Sequence, residues 1–363
     1  MTKAIAASRV LITGGSGFIG GCLVRRLLKE SNSLIFNLDK YGYASDHTSI
    51  QEVLNSTTLL GTDRYSFLQV DLADAGATAC AVRQADPDLV MHLAAESHVD
   101  RSIDGPEAFI NSNVVGTFNL LQAVRGHWDS LQGERRELFR FHHISTDEVF
   151  GSLGSDGRFD EKTPYDPRSP YSSTKAASDH LVRSWHHTYG LPIVITNCSN
   201  NYGPWQFPEK LIPVVVLKAL AGKPIPLYGD GGNIRDWLYV EDHVDALLLA
   251  ATHGALGESY CIGGHGERTN RQVVDLICSI LDELKPEAAP HSRLIRTVVD
   301  RPGHDHRYAI NPAKITDELG WQPRHSFSLG LETTVRWYLE HLEWCNSVSQ
   351  KAGYGGERIG FVV

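Results

Sequence analysis

Two short segments of this chain carry side chains suited to proton transfer. In the second segment Tyr171 and Lys175 are four positions apart, so a helix that Pro170 opens would place both on one face. A lysine ammonium stabilises a phenolate, so we expect the pKa of Tyr171 to lie below the usual value of about 10. Such a phenolate can take a hydroxyl proton while a hydride leaves the same carbon.

In the first segment, two neighbouring carboxylates, Asp147 and Glu148, follow Thr146 where a strand is expected to end. They supply an acid and a base that a simple dehydrogenase does not require. Two close carboxyls cannot both ionise at low cost, so one of the two pKa values should be raised. The residues themselves leave open which one. Together the two segments indicate an oxidation coupled to an elimination.

Composition narrows the class of protein. The chain has 363 residues, 42% of them hydrophobic and 21% charged, which is typical of a soluble globular protein. The net charge of −9 disfavours non-specific nucleic-acid binding. Neither the six cysteines nor the 17 histidines show metal-ligand spacing, so no metal site is expected. No apolar run approaches ~18 residues and no signal-peptide pattern begins the chain, which predicts no membrane span and a cytoplasmic location.

Strand-like and helix-like segments alternate through the first half of the chain. This alternation predicts an α/β fold with a Rossmann-type, doubly wound parallel sheet. The predicted strands are residues 9–13, 34–38, 65–70, 89–93, 139–145 and 192–197, and the predicted helices are residues 18–30, 74–84, 106–127 and 170–189. Beyond about residue 200 the alternation is lost, and helices are predicted at residues 240–251, 270–284 and 328–342.

A glycine-rich turn follows the first predicted strand and opens a helix. Its GxxGxxG pattern permits a tight turn and lets a pyrophosphate approach the N-terminus of the helix; the residues are Gly14, Gly17, Phe18, Ile19 and Gly20. Asp39 lies about 20 residues further on, where a carboxylate binds ribose hydroxyls and favours NAD over NADP. Lys40 beside it makes that preference less definite.

Two further predicted strand ends have residues suited to a dinucleotide. Asp71 and Leu72 follow the third strand, where a carboxylate can accept a hydrogen bond from the adenine amino group. Leu93, Ala94 and Ala95 end the fourth, where small side chains let the backbone approach a flat cofactor. The expected division is therefore an NAD-binding domain over residues 1–200, a smaller mixed α/β substrate domain over 201–345 and a loose or lid-like tail over 346–363. Part of residues 234–260 is a candidate for return to the first domain.

These segments resemble the extended short-chain dehydrogenase/reductases. Residues 92–102, 145–151, 197–204, 207–213 and 300–304 are similar to motifs of the dTDP-glucose 4,6-dehydratase family within that superfamily. The resemblance implies oxidation at C4 of dTDP-glucose, loss of water across C5 and C6, and return of the hydride to C6. It assigns the 4-hydroxyl proton to Tyr171, the C5 proton to an ionised Glu148, and protonation of the departing 6-hydroxyl to a neutral Asp147.

The resemblance also implies the remaining site residues and an assembly. Thr146 would bind O4, Lys175 the nicotinamide ribose, and Ser112 and Asn201 the cofactor side. The implied substrate-binding residues are Ser97, Asn200, Lys210, Leu211, Pro226, Tyr228, Arg235, Asn270, Arg301 and His304. Relatives pair through the helices predicted at residues 106–127 and 170–189, so a homodimer is expected.

Other functions fit the same scaffold. A nucleotide-sugar 4-epimerase shares the Tyr171–Lys175 pair but has no need for Asp147 and Glu148. A 4,6-dehydratase acting on a different nucleotide is not separated by sequence from the dTDP enzyme. A non-catalytic NAD-sensing protein is the more distant alternative, since such proteins often lack the tyrosine or the lysine.

Overall fold

The computed structural model describes residues 7–56, 62–300 and 303–356. The strands are β1 (Arg9–Thr13), β2 (Leu34–Asp39), β3 (Tyr65–Gln69), β4 (Leu89–His92), β5 (Arg140–Thr146), β6 (Ile193–Cys198), β7 (Asn200–Tyr202), β8 (Ile225–Tyr228), β9 (Ile234–Arg235), β10 (Trp237–Tyr239), β11 (Ser259–Ile262), β12 (Arg268–Thr269) and β13 (Ile295–Val298). The α-helices are α1 (Phe18–Glu30), α2 (Thr48–Ser56), α3 (Ala75–Ala85), α4 (Val99–Asp104), α5 (Pro106–Phe109), α6 (Gly116–Ser130), α7 (Gly133–Leu138), α8 (Pro170–Tyr189), α9 (Leu211–Leu220), α10 (Val240–His253), α11 (Asn270–Leu284), α12 (Ala313–Leu319), α13 (Phe327–Glu340) and α14 (Leu342–Lys351).

Seven parallel strands form the central sheet in the order β11-β6-β5-β4-β1-β2-β3. This arrangement confirms the predicted Rossmann-type fold. The six strands predicted from sequence form six of the seven. The seventh, β11, was missed because it is short and lies far along the chain from β6, with which it pairs.

Side chains that alternate along each strand bury the two faces of the sheet under different helices. Val10 and Ile12 of β1 point into a core that includes residues of α1 and α10. Leu11, between them, points to the opposite face, where residues of α3, α6 and α8 form the other core. Through α10 and β11, a stretch of the second half of the chain packs on the central sheet.

The predicted helix over residues 106–127 is interrupted. A π-helical turn, Ile110–Val115, separates α5 from α6, and α6 continues to Ser130. Such turns are rare and are often found near functional sites. Ser112, a predicted cofactor residue, lies within this turn.

Helix α8 begins and ends at strong local signals. The Ser169 side chain accepts a hydrogen bond from the Ser172 amide, the Ser172 side chain accepts one from the Ser169 amide, and Pro170 occupies the first turn. Gly190 ends the helix in the left-handed region with φ of 75°. This fixed start places both Tyr171 and Lys175 among the buried residues of the helix.

The C-terminal half has its own apolar core, formed mainly by α9, α11 and α13. The expectation of a loose tail is wrong for residues 346–351, which belong to α14. Val348 of α14 and Tyr354, just beyond the end of the helix, are buried against Phe207. The sequence of α14 does not reveal this partner of its apolar face. Residues 357–363 of the predicted tail lie outside the described part of the chain.

Candidate active site

The carboxyl ends of the central strands border a cavity of about 680 Å³. It lies where the strand order reverses about β1, the usual ligand position in doubly wound sheets. The predicted residues that line it are Gly14, Gly17, Phe18, Ile19, Gly20, Asp39, Lys40, Asp71, Leu72, Leu93, Ala94, Ala95, Ser97, Ser112, Thr146, Glu148, Tyr171, Lys175, Asn200, Asn201, Lys210, Leu211, Pro226, Tyr228, Arg235, Asn270 and His304. Asp147 is buried beside the cavity wall rather than on it, and Arg301 lies outside the described residues.

The turn between β1 and α1 needs glycine at two positions. Gly14 has φ of +74°, and a Cβ there would lie 2.7 Å from the Ala94 nitrogen. A Cβ on Gly20 would lie 2.1 Å from the Gly14 oxygen. Because no side chain caps α1 at Gly17, the first amides of the helix are left to a ligand, and this donor set fits a pyrophosphate.

Asp39 ends β2 with its carboxylate inside the cavity wall. Its oxygens accept hydrogen bonds from the Ser16 amide at 3.1 Å and the Tyr41 amide at 2.7 Å. Lys40 turns away to Glu96, with Nζ 2.5 Å from Oε1, and donates to Ser112 at 3.0 Å. Lys40 is therefore paired with the Glu96 carboxylate.

Tyr171 and Lys175 both line the cavity, but the pKa of Tyr171 is shifted in the direction opposite to the one expected. Burial, followed by the negative charge of Glu148, raises the pKa of the Tyr171 phenol well above its ordinary value. The Lys175 ammonium donates to the Ile144 carbonyl at 2.9 Å, and burial lowers its pKa. The expected low phenol pKa is therefore not present in this structure, because burial and the charge of Glu148 outweigh the hydrogen bond with Thr146 that lowers the pKa.

The paired carboxyls have distinct surroundings. Asp147 is 1% exposed, and its Oδ2 is a buried oxygen for which the described residues supply no hydrogen bond. Burial, then Glu148 and Asp236, raise the pKa of Asp147 well above its ordinary value. Thr146 caps the short turn by accepting from the Glu148 amide at 3.3 Å. The surroundings of Asp147 thus favour its protonated form.

The far side of the cavity is polar. The Asn200 Oδ1 and Ser199 Oγ atoms are buried without a hydrogen-bond partner among the described residues, so a ligand with hydroxyl groups fits there. Lys210 donates to the Ser97 carbonyl at 3.1 Å, and Tyr228 donates to Asp100 at 3.4 Å. No group of three metal-ligating side chains occurs among residues 7–56, 62–300 and 303–356.

Apart from Lys40, the loop after Asp39 was not predicted as part of the site, although it forms one wall of the cavity. Tyr43 donates to Glu209 at 2.7 Å, and Glu209 also accepts from Arg101 at 3.0 Å. Trp344 of α14 donates to Asp46 at 3.0 Å, while the Lys351 ammonium lies 3.9 Å from the ring centre of Tyr41. The two contacts of α14 join residues some 300 positions apart, and no local sequence signal could have revealed them.

A glycine turn at the first strand of a parallel sheet, with a buried Tyr–Lys pair one turn apart, defines an extended short-chain dehydrogenase/reductase. The family model described as GDP-mannose 4,6 dehydratase matches residues 11–334. In the described part of the chain, no helix is both long enough and apolar enough to cross a bilayer.

Comparison with known proteins narrows the class. The dTDP-glucose 4,6-dehydratase of Neisseria meningitidis serogroup B is 52% identical over 357 residues, covering 97% of this chain and 99% of the relative. That of Salmonella typhimurium is 51% identical over 353 residues, covering 95% and 96%. DesIV, a dTDP-glucose 4,6-dehydratase from Streptomyces venezuelae crystallised with NAD, is 41% identical with a TM-score of 0.83, covering 94% of this chain and 99% of DesIV. The chain belongs to the dTDP-glucose 4,6-dehydratase family.

A variant that ends at His341 is expected to bind NAD about tenfold more weakly, equivalent to about 1.4 kcal/mol. It loses the contacts of Trp344 and Lys351 that hold the loop behind Asp39. Calorimetric titration of nucleotide-free protein measures the affinity, and near-UV circular dichroism checks the fold. Trp344→Phe, which removes only one hydrogen bond, should lose less. Equal affinity in the truncated and full-length chains would contradict the role given to α14.

Proposed function

We propose that this protein is an NAD-dependent hydro-lyase that converts dTDP-glucose to dTDP-4-keto-6-deoxyglucose and water. The observation that carries the proposal is that Glu148, Tyr171 and Lys175 line the same cavity as the nucleotide turn, with Asp147 buried beside the cavity wall. An epimerase needs no such acid and base pair. Identity of about half over nearly the whole chain to dTDP-glucose 4,6-dehydratases supports the choice of nucleotide.

NAD, when bound, supplies reversible hydride acceptance. The amides at the start of α1 would hold its pyrophosphate, and Asp39 would hold the adenosine ribose. Lys175 would donate to the nicotinamide ribose through the hydrogens that its bond to Ile144 leaves over. Leu93, Ala94 and Ala95 would give the flat ring a close backbone surface.

Tyr171 is the base for the 4-hydroxyl. Its phenol faces the cavity near Thr146, which lowers the pKa of the phenol by a hydrogen bond and would orient the sugar oxygen. Since burial and Glu148 raise that pKa, positive charge brought by the bound cofactor and by Lys175 must favour the phenolate during turnover. Loss of the 4-hydroxyl proton to Tyr171, together with loss of the C4 hydride that bound NAD would accept, would generate the ketone that acidifies C5.

Glu148 then removes the C5 proton, and Asp147 protonates the departing 6-hydroxyl. These roles require opposite protonation states. The raised pKa of Asp147 gives it the proton, and the direct exposure of Glu148 to the cavity suits a base. The unpaired Oδ2 of Asp147 is suited to contact with a substrate hydroxyl. As an acid, Asp147 would lose its function as pH rises through its raised pKa.

Deuterium at C4 of dTDP-glucose should appear at C6 of the product, with solvent hydrogen at C5. The reaction has no net redox change, so the label removed from one carbon must return to another on the same molecule. Mass spectrometry with proton NMR locates the label. Formation of the galactose epimer without loss of water would indicate the epimerase instead, and bound NAD without turnover would indicate a sensor.

Glu148→Gln and Asp147→Asn should interrupt the reaction at different points. The glutamine variant keeps some C4 oxidation but loses exchange of the C5 proton with solvent, because the base is absent. The asparagine variant keeps C5 exchange but eliminates water about 10²–10⁴-fold more slowly, because general acid catalysis contributes that much.

Exchange at C5 is followed by proton NMR in deuterated water, and water loss by formation of the keto product. Tyr171→Phe is the matched control, since it should prevent both by stopping the first proton transfer. Full C5 exchange in Glu148→Gln would refute the assignment of the base.

A homodimer in the cytoplasm is part of the proposal. Exposed apolar side chains on the helices of residues 106–130 and on α8 support the pairing, among them Ile110 at 50%, Phe118 at 41% and Tyr189 at 40% exposure. Phe118 packs edge-on against Trp185 of α8 at 5.9 Å, so the two helices present one surface. A second copy would remove this apolar area from water.

Phe118→Glu should convert a dimer to a monomer, because it places a charge in the proposed interface. Sedimentation equilibrium measures the mass. Leu256→Glu is the matched control, since Leu256 is 44% exposed but lies outside the two helices. A wild-type chain that sediments as a monomer would overturn the pairing.

A further inference from the structure

Asp179 is a fully buried carboxylate one helical turn beyond Lys175. Its exposure is 0%, and both residues are on α8, where positions four apart share a face. It does not reach the cavity, so the chemistry described above makes no use of it. A carboxylate in the protein interior requires compensation by donors or by positive charge.

Four neutral donors surround the carboxylate. Oδ1 accepts from His143 Nε2 at 3.0 Å, and Oδ2 accepts from Tyr165 at 2.8 Å, Ser145 at 2.9 Å and Asn197 at 3.3 Å. Although burial acts against ionisation, the His143 bond and the neighbouring positive charge lower the pKa of Asp179. The residue is therefore an anion at neutral pH.

The donors connect Asp179 to the reacting groups. Ser145 precedes Thr146 at the end of β5, and Asn197 also donates to the Thr146 carbonyl at 3.1 Å. One carboxylate thus joins the helix that has Tyr171 and Lys175 to the strand that leads to Asp147. Any shift of α8 along the sheet would break several of these bonds at once.

The other titratable groups around Lys175 are neutral, which leaves Asp179 as the charge that acts on it. Burial lowers the pKa of His92 well below its ordinary value and that of His143 to about 4, and it raises that of Cys198 to about 12. These three groups on β4, β5 and β6 are neutral near pH 7, as is the Tyr171 phenol in this structure.

Tyr165 and Arg183 lie on the side of Asp179 away from Lys175. Burial raises the pKa of Tyr165, and Arg183, one turn further along α8, donates to the Tyr165 oxygen at 3.4 Å. Among the described residues, neutral His143 and not Lys175 is the basic group within 4.0 Å of Asp179, so the attraction between Lys175 and Asp179 acts over more than 4.0 Å. In a weakly polarisable interior such an attraction is still strong.

We propose that Asp179 is a positioning residue that holds Lys175 as an ammonium and fixes α8 against the end of β5. The proposal rests on the function proposed above for Lys175. Its first test needs no catalysis, so its failure is distinguishable from failure of the proposed function.

A double-mutant cycle of Lys175→Met and Asp179→Asn, read by urea unfolding at pH 7, tests the attraction. Asp179→Asn should destabilise the wild-type chain more than it destabilises Lys175→Met, by about tenfold in the unfolding equilibrium constant. Additive effects would overturn the pairing. If Asp179→Asn alone does not fold, folding of the double variant supports the proposal and its failure to fold overturns it.

The pH dependence of kcat/KM supplies the second test. Without the anion, Lys175 loses its proton at lower pH, so the alkaline limb of Asp179→Asn should move down by about one pH unit or more. Tyr165→Phe removes a neutral donor to the same carboxylate and should leave the limb in place, as should Asp179→Glu, which keeps the charge. A limb that moves equally in Tyr165→Phe and Asp179→Asn, or in neither, would show a merely structural role.

Discussion

The site depends on the parallel pairing of the central strands. Parallel strands present all their carboxyl ends at one edge, so the residues that follow β1, β2, β4, β5 and β6 must meet there. The close approach of Gly14 to the end of β4, where a Cβ would lie 2.7 Å from the Ala94 nitrogen, fixes the spacing of this edge. The nucleotide turn and the acid–base residues are thereby held across a single cavity.

Burial shifts the pKa values of the acid–base residues. Burial and two neighbouring carboxyls raise the pKa of Asp147, and burial and Glu148 raise that of Tyr171. Burial also lowers the pKa of Lys175, and in our proposal the buried Asp179 anion counters that effect. Two layers of ionisable groups therefore support the chemistry, one at the cavity and one beneath it.

The C-terminal half contributes more than a substrate surface. Through α10 and β11 it adds a helix and a strand to the central layers. Through α14 it contacts the loop behind Asp39, which forms one wall of the cavity. The cavity is in this way built from parts of the chain that are distant in sequence.

Local sequence signals were sufficient to predict the elements whose ends are set by residues within or next to the element itself. The apolar runs of β1 to β6, the capped start of α8 and the glycine turn could all be predicted, because each depends on side chains within a few positions. Tertiary structure alone decided the addition of β11, the packing of α14 and the raised pKa values of Asp147 and Tyr171. Pairing between distant segments and the exclusion of water depend on what the rest of the chain places nearby, and no short stretch of sequence contains that information.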